Sequence, residues 1–115
     1  MKKNYLDTAM KVVEQAPSKL AVTHRLDFKN VFGAVGCYVD GRIFISCGKF
    51  GVALRLPPEI LDALFEERGV RHLKYFPKGH IKKEYAVLSK QILKNEYRLG
   101  KLVGESINYV LSLDL

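Results

Sequence analysis

Apolar side chains alternate with small or polar ones along the stretch from residue 31 to residue 46. Such alternation is typical of β-strands, in which successive side chains point to opposite faces of a sheet. The dipeptide Asp40-Gly41 interrupts the alternation, and Asp-Gly between two apolar runs is a strong signal for a tight turn. The pattern therefore predicts a β-hairpin that turns at Asp40 and Gly41.

Two registers of this hairpin compete. A two-residue loop would place Cys37 opposite Phe44 and would mix polar and apolar side chains on each face. A three-residue loop, with Gly41 in the left-handed conformation that only glycine adopts without steric cost, would place Cys37 opposite Ile43. We expect the second register, because it collects the apolar side chains on one face and places Tyr38 and Phe44 on the other. That apolar face would consist of Gly33, Val35, Cys37, Ile43, Ile45 and Cys47.

Apolar residues recur every three or four positions in three other segments, which is the spacing of one face of an α-helix. The first segment predicts a helix from Tyr5 to Ala16. The second predicts a helix that begins at Pro57-Pro58, because proline is tolerated in the first helical turn. The third runs from Leu99 to Leu111. We expect Ser89 or Asn95 to cap the C-terminal helices.

Gly100 and Gly104 lie one turn apart in the last of these segments. Glycine lowers helix stability by about 1 kcal/mol relative to alanine. Close packing against another backbone would explain both glycines, and simple tolerance of glycine would explain them equally well.

Three further strands are predicted from alternating apolar positions. They run through Val52, Leu54 and Leu56, from Val70 to Phe76, and through Lys83, Tyr85 and Val87. The segment from Lys19 to Asn30 is mixed and polar, so we expect a linker or a short helix there.

The predicted order of elements is one helix, three strands, one helix, two strands and one C-terminal helix. Short links between strands favour antiparallel pairing. The expected fold is therefore α+β, a two-layer domain with a five-stranded antiparallel sheet and helices mainly on one face. The length of 115 residues fits one domain over 1–115, in which residues 1–19 form the N-terminal helix and linker.

Basic residues concentrate in the segment 71–101, which holds nine of them against two acidic residues. The excess of seven positive charges equals the formal net charge of the whole chain. Such asymmetry indicates either an acidic partner, for example a nucleic acid, or a solvated face that keeps the protein soluble. The residues expected to contact phosphates are Lys74, Lys78, Lys82, Lys83, Lys90, Lys94, Arg98 and Lys101.

Three short motifs carry a family resemblance: Phe32-Gly33, the run from Gly36 to Phe44, and Leu54-Arg55-Leu56. Together with the order of the elements they resemble the N-terminal domain of the TfoX family, over residues 20–113. The resemblance implies an antiparallel α+β fold without established catalytic residues. Better-known members regulate competence for DNA uptake in bacteria and carry a second, helical domain. We do not expect that domain here, because the sequence stops at Leu115.

Candidate catalytic and metal-binding residues are few. None of the three histidines, His24, His72 and His80, has a partner at metal-ligand spacing, so we expect no metal and no cofactor. Cys37 and Cys47 are expected to be two buried thiols without a disulfide, which is typical of a reducing compartment. No segment is long enough to span a membrane, and the expected location is the cytoplasm.

These observations leave two hypotheses of function. The first is a non-enzymatic regulatory or adaptor module that binds a protein or a second copy of itself. Tyr38 and Phe44 would then form an exposed aromatic patch, although a merely half-exposed tyrosine would explain Tyr38 as well. The alternative is a nucleic-acid-binding protein that uses the basic segment 71–101. No small-molecule substrate is evident in either case.

Overall fold

The computed structural model describes residues 4–16 and 24–113. Four helices lie within these residues: α1 (Tyr5–Glu14), α2 (Pro58–Phe65), α3 (Lys90–Lys94) and α4 (Glu96–Ser112). The described strands are β1 (Leu26–Val31), β2 (Ala34–Val39), β3 (Arg42–Gly48), β4 (Gly51–Arg55), β5 (Arg71–Leu73) and β6 (Lys82–Val87). The α+β class is confirmed, and residues 19–23 of the predicted linker lie outside the described residues.

All described strands join one antiparallel sheet in the order β1-β2-β3-β4-β6-β5. The predicted count of five strands was wrong, because β1 lies where a linker or short helix was expected. The predicted single C-terminal helix was also wrong, because two helices, α3 and α4, follow β6. A two-residue turn, Phe32-Gly33, connects β1 to β2, and both of its residues have positive φ angles of 48° and 79°. Phenylalanine rarely adopts this conformation, so the sequence contains no conventional signal for the turn.

The predicted three-residue register of the central hairpin was also wrong. Asp40 and Gly41 form a two-residue turn with φ angles of 47° and 84°, and Val39 lies opposite Arg42. The register then shifts, because Tyr38 lies opposite Ile43 whereas Cys37 lies opposite Ile45. Phe44 is the extra residue of a β-bulge, and a bulge of this kind changes the face to which the neighbouring side chains point.

Helices cover one face of the sheet. Both α1 and α4 pack on β2 and β3, α4 also packs on β4, and α2 lies against β6. We call this side the helix face. Its buried sheet residues are Cys37, Val39, Phe44, Ile45, Cys47, Val52, Leu54, Leu56, Ala86 and Leu88. Phe44 therefore lies on the helix face and Ile43 on the opposite face, which is the reverse of the prediction, because the bulge turns Phe44 toward the helices.

Ser106 joins α4 to the sheet at the bulge. Its hydroxyl is fully buried and lies 3.1 Å from the carbonyl oxygen of Phe44 and 2.6 Å from that of Arg55, the last residue of β4. The one hydroxyl proton thus serves two backbone acceptors, one at the bulge of β3 and one at the last residue of β4. A buried carbonyl without a donor costs about 1–3 kcal/mol, so this single side chain stabilises the position of α4 over the bulge.

Both proposed caps of the C-terminal helices are confirmed. Ser89 Oγ accepts a hydrogen bond from the backbone N–H of Ile92 at the start of α3, and Asn95 Oδ1 accepts one from that of Arg98 at the start of α4. The guanidinium of Arg98 also forms a bidentate ion pair with Glu67, which follows α2. The hydrogen bond from Arg98 lowers the pKa of Glu67.

Gly100 allows α1 to approach α4 closely. A Cβ atom at this position would overlap the backbone carbonyl of Gln15, which caps the end of α1. Close packing, one of the two explanations given above, therefore accounts for this glycine.

We predict that Gly100→Ala destabilises the protein by about 1–3 kcal/mol, because the overlap with the Gln15 carbonyl outweighs the better helix propensity of alanine. Urea unfolding would measure the difference, with Lys101→Ala on the exposed side of the same helix as the control. A Gly100→Ala protein more stable than the parent would show that the two helices do not depend on this contact.

We also predict an acid-sensitive contact at the central hairpin. The carboxylate of Asp40 accepts a hydrogen bond of 3.0 Å from the backbone N–H of Arg25 and lies 3.0 Å from His24 Nδ1. The Arg25 N–H, followed by His24, lowers the pKa of Asp40. A lowered pKa contributes stability above the unfolded-state value of about 3.9, and this contribution is lost as the pH falls further.

Asp40→Asn should therefore be less stable near neutral pH and should lose less stability on acidification than the parent does. Asparagine also tolerates a positive φ angle, so the turn itself is preserved. Urea unfolding at pH 7 and pH 3 would test this, and parallel losses in the two proteins would contradict it.

Candidate binding surface

Aromatic side chains gather on the side of the sheet that faces away from the helices. We call this side the aromatic face and define it by six residues: Phe32, Tyr38, Phe50, Tyr75, Phe76 and Tyr85. A small cluster of buried residues, Ala53, Leu73 and Val87, lies beneath Phe50, Tyr75 and Tyr85. No helix of the described residues packs on this cluster, so the rings themselves cover it.

The loop between β5 and β6 brings Tyr75 and Phe76 onto this face. The predicted strand from Val70 to Phe76 ends instead at Leu73, and the chain leaves the sheet edge. Tyr75 then forms a hydrogen bond of 2.9 Å with Ser46, a fully buried residue of β3. This bond anchors the loop to the middle of the sheet.

The rings touch edge to face. The Phe32 ring centroid lies 5.4 Å from that of Tyr75 and 5.9 Å from that of Phe76, and Phe50 lies 5.5 Å from Tyr75. Edge-to-face pairs of this kind contribute about 0.5–1.5 kcal/mol each beyond simple burial. Two of the rings nevertheless remain open to solvent, since Phe32 is 67% exposed and Phe76 is 55% exposed.

A cleft of about 320 Å³ opens beside these rings. Its lining residues are Val31, Phe32, Tyr38, Ile43, Arg55, Tyr75, Lys82, Glu84 and Tyr85. Arg55 forms an ion pair of 3.1 Å with Glu84, but its Nε atom is buried and has no hydrogen-bond partner among the described residues. The cleft thus combines aromatic walls with the ion pair of Arg55 and Glu84.

Tyr38, one of the two residues predicted to contact a protein partner, lies on the aromatic face and is half-buried. The ammonium nitrogen of Lys29 lies 5.0 Å from the centroid of its ring, which is a cation–π distance. Phe44, the other predicted contact residue, is fully buried on the helix face and cannot contribute to an exposed patch. The β-bulge in β3 is the physical reason for this correction.

The predicted phosphate-contacting residues do not form one surface. Lys74 and Lys78 lie on the loop that carries Tyr75 and Phe76, and Lys82 lines the cleft. Lys83 lines a different groove, between α2 and β6. The other four belong to the helix layer: Lys90 and Lys94 on α3, and Arg98 and Lys101 on α4, with Arg98 already paired to Glu67.

Sequence reasoning missed Phe32, Phe76, Lys29 and Arg55 as members of the site. Phe32-Gly33 was noted only as a family motif, and Lys29 fell in the supposed linker. An alternating pattern does run through β1, since Leu26 and Phe28 flank Asp27 and precede Lys29. Recognising it as a strand would have placed Lys29 beside Tyr38.

Groups suited to catalysis or metal binding are scarce in the described part of the chain. No three His, Cys, Asp or Glu side chains come together there as metal ligands. Cys37 and Cys47 are free and buried, as predicted. Burial raises the pKa of Cys47 to about 12, and burial together with the neighbouring Cys47 raises the pKa of Cys37 to about 12.

Comparison with protein-family models gives no match to this chain, and comparison with curated proteins gives none either. The resemblance to the TfoX N-terminal domain therefore stays a prediction. Among the described residues, no helix has the length and the apolar character needed to cross a membrane.

The raised pKa values lead to a prediction for the cysteines. In the folded protein near pH 8, neither Cys37 nor Cys47 should react with a thiol reagent such as dithionitrobenzoate, because the thiolate is the reactive form. Both should react at once in concentrated urea. Rapid reaction of either thiol in the native protein would contradict this prediction.

Proposed function

We propose that this protein is a non-enzymatic regulatory module of the cytoplasm that binds nucleic acid through its aromatic face. The observation that carries the proposal is that four exposed lysines lie on the strands and the loop that form the aromatic face. These are Lys29, Lys74, Lys78 and Lys82. No carboxylate of the described residues lies within salt-bridge distance of any of them, so their charges are available to phosphates.

The proposed interface differs from the basic segment 71–101 as a whole. It keeps three lysines of that segment, adds Lys29 from β1, and leaves out the cations of the helix layer. Aromatic rings interleaved with basic side chains on a sheet surface are a recurring arrangement in nucleic-acid-binding proteins. The resemblance to the TfoX family supports a regulatory role and the absence of chemistry, and the two free buried thiols support the cytoplasm.

An adaptor that binds a protein, or a second copy of this chain, is the second candidate. The exposed pair Phe32 and Phe76 favours it, because adjoining apolar side chains on a surface mark many protein contacts. The charge of the lysines distinguishes the two candidates. Contact between two copies of the chain would bring positively charged lysines together, whereas the phosphates of a nucleic acid would neutralise their charge.

We predict that Lys29→Ala combined with Lys82→Ala weakens binding to a mixed-sequence oligonucleotide and lowers its salt dependence. Each lost phosphate contact should reduce the slope of log affinity against log salt by about 0.7 for a single strand and 0.9 for a duplex. Fluorescence anisotropy of the labelled oligonucleotide, in single-stranded and duplex form, would measure both quantities.

The matched control is Lys94→Ala combined with Lys101→Ala, which removes the same charge from the helix layer. This control should leave the affinity nearly unchanged. Equal effects of the two pairs would mean that only the net charge matters, and a parent protein that binds neither form of the oligonucleotide would overturn the proposed function.

A further inference from the structure

We propose that the aromatic face binds single-stranded rather than duplex nucleic acid, and that Phe32 and Phe76 stack on its bases. This proposal rests on the proposed function and specifies its partner. It is carried by the conformation of Phe32, by the arrangement of the rings and by the positions of the lysines.

Phe32 occupies a position that phenylalanine normally avoids. Its φ angle of 48° lies in the left-handed region, where a bulky side chain is strained. The fold gains little burial in return, because 67% of the side chain is exposed. Strain of this kind concentrates at ligand-binding sites, where the bound molecule supplies the missing contacts. A base stacked on the ring would bury it.

The rings of the aromatic face are arranged to receive bases. Phe32 meets Tyr75 and Phe76 at interplanar angles of 64° and 65°, so these rings do not stack on one another. Bases stack on aromatic side chains regardless of their sequence, since every base has a π-face.

The lysines of the aromatic face come from both sides of the sheet and do not all lie along one edge. Lys29 comes from β1, at one side of the sheet, and Lys82 from β6, near the other. Lys74 and Lys78 stand on the loop that carries the rings. A strand that crosses the face would meet cations on both sides of the stacked bases.

The shape of this surface favours an unpaired strand. Duplex DNA is generally recognised by a helix or a two-stranded ribbon that enters the major groove. Both long helices, α1 and α4, lie on the opposite side of the sheet. Paired bases are already stacked on their neighbours, whereas the bases of a single strand are free to stack on Phe32 and Phe76.

The test compares a mixed-sequence oligonucleotide of about 12 nucleotides, within the usual range of binding sites, as single-stranded DNA, single-stranded RNA and DNA duplex. We expect the parent protein to bind at least one single strand more tightly than the duplex. Phe32→Gly and Phe76→Ala should each weaken single-strand binding roughly tenfold. Tyr97→Ala is the control, because Tyr97 is 80% exposed on α4, and it should have no effect.

Phe32→Gly also separates binding from folding. Glycine adopts a positive φ angle without strain, and this gain opposes the loss of the two edge-to-face contacts of Phe32. The variant should therefore stay folded, with a urea midpoint near that of the parent, while it loses affinity. Unchanged affinity in Phe32→Gly would overturn the proposed role of this ring. Duplex binding equal to single-strand binding, with no effect of either aromatic substitution, would overturn the whole proposal. The proposed function would survive that result if the Lys29 and Lys82 variant still weakened binding.

Sedimentation velocity of the same proteins tests the protein-adaptor alternative. We expect the parent protein to stay monomeric at moderate salt. A dimer that dissociates on substitution of Phe32 and Phe76, together with no binding of any oligonucleotide, would overturn both proposals and favour contact between copies of the chain.

Discussion

The β-bulge at Phe44 determines how side chains are divided between the two faces of the sheet. Without the extra residue, β3 would continue its alternation from Ile45 and would present Phe44 on the aromatic face. The bulge instead buries Phe44 beneath the helices and leaves Ile43 beside Tyr38. Ser106 stabilises this irregular backbone by donating to the carbonyl of Phe44, so the packing of α4 and the composition of the opposite face depend on one local feature.

Hydrogen bonds order the aromatic face in the absence of a partner. Tyr75 is bonded to Ser46 in the centre of the sheet, and Arg71 donates a hydrogen bond of 2.6 Å to the carbonyl of Phe50. Burial also raises the pKa of Tyr75, so its hydroxyl stays protonated and able to keep this bond at physiological pH. A surface that is already ordered loses less conformational entropy on binding, which favours affinity without additional contacts.

Much of the fold could be predicted from local chemistry. The starts of α1 and α2 followed from apolar spacing and from proline, the caps at Ser89 and Asn95 from their side chains, and the central turn from Asp40-Gly41. β1 was missed because its turn uses phenylalanine where glycine or asparagine is usual. The register was missed because neither of the two expected registers contains a bulge, and the Phe44 carbonyl at the bulge meets Ser106 of α4, which is distant in sequence.

The candidate site was harder to predict for a different reason. Basic residues that are close together in sequence form one surface only if the fold brings their side chains to the same side. Here the chain passes from a loop over the aromatic face into two helices on the opposite side of the sheet. Lys82 and Lys83 already diverge, since one lines the aromatic cleft and the other the groove beside α2. The register of β5 and β6 is irregular at this point, so these two neighbours in sequence line different clefts, whereas strand pairing brings Lys29 to Tyr38, nine positions away. For a protein built around a sheet, charge counted along the chain is therefore a weaker guide to a binding surface than charge counted across the strands.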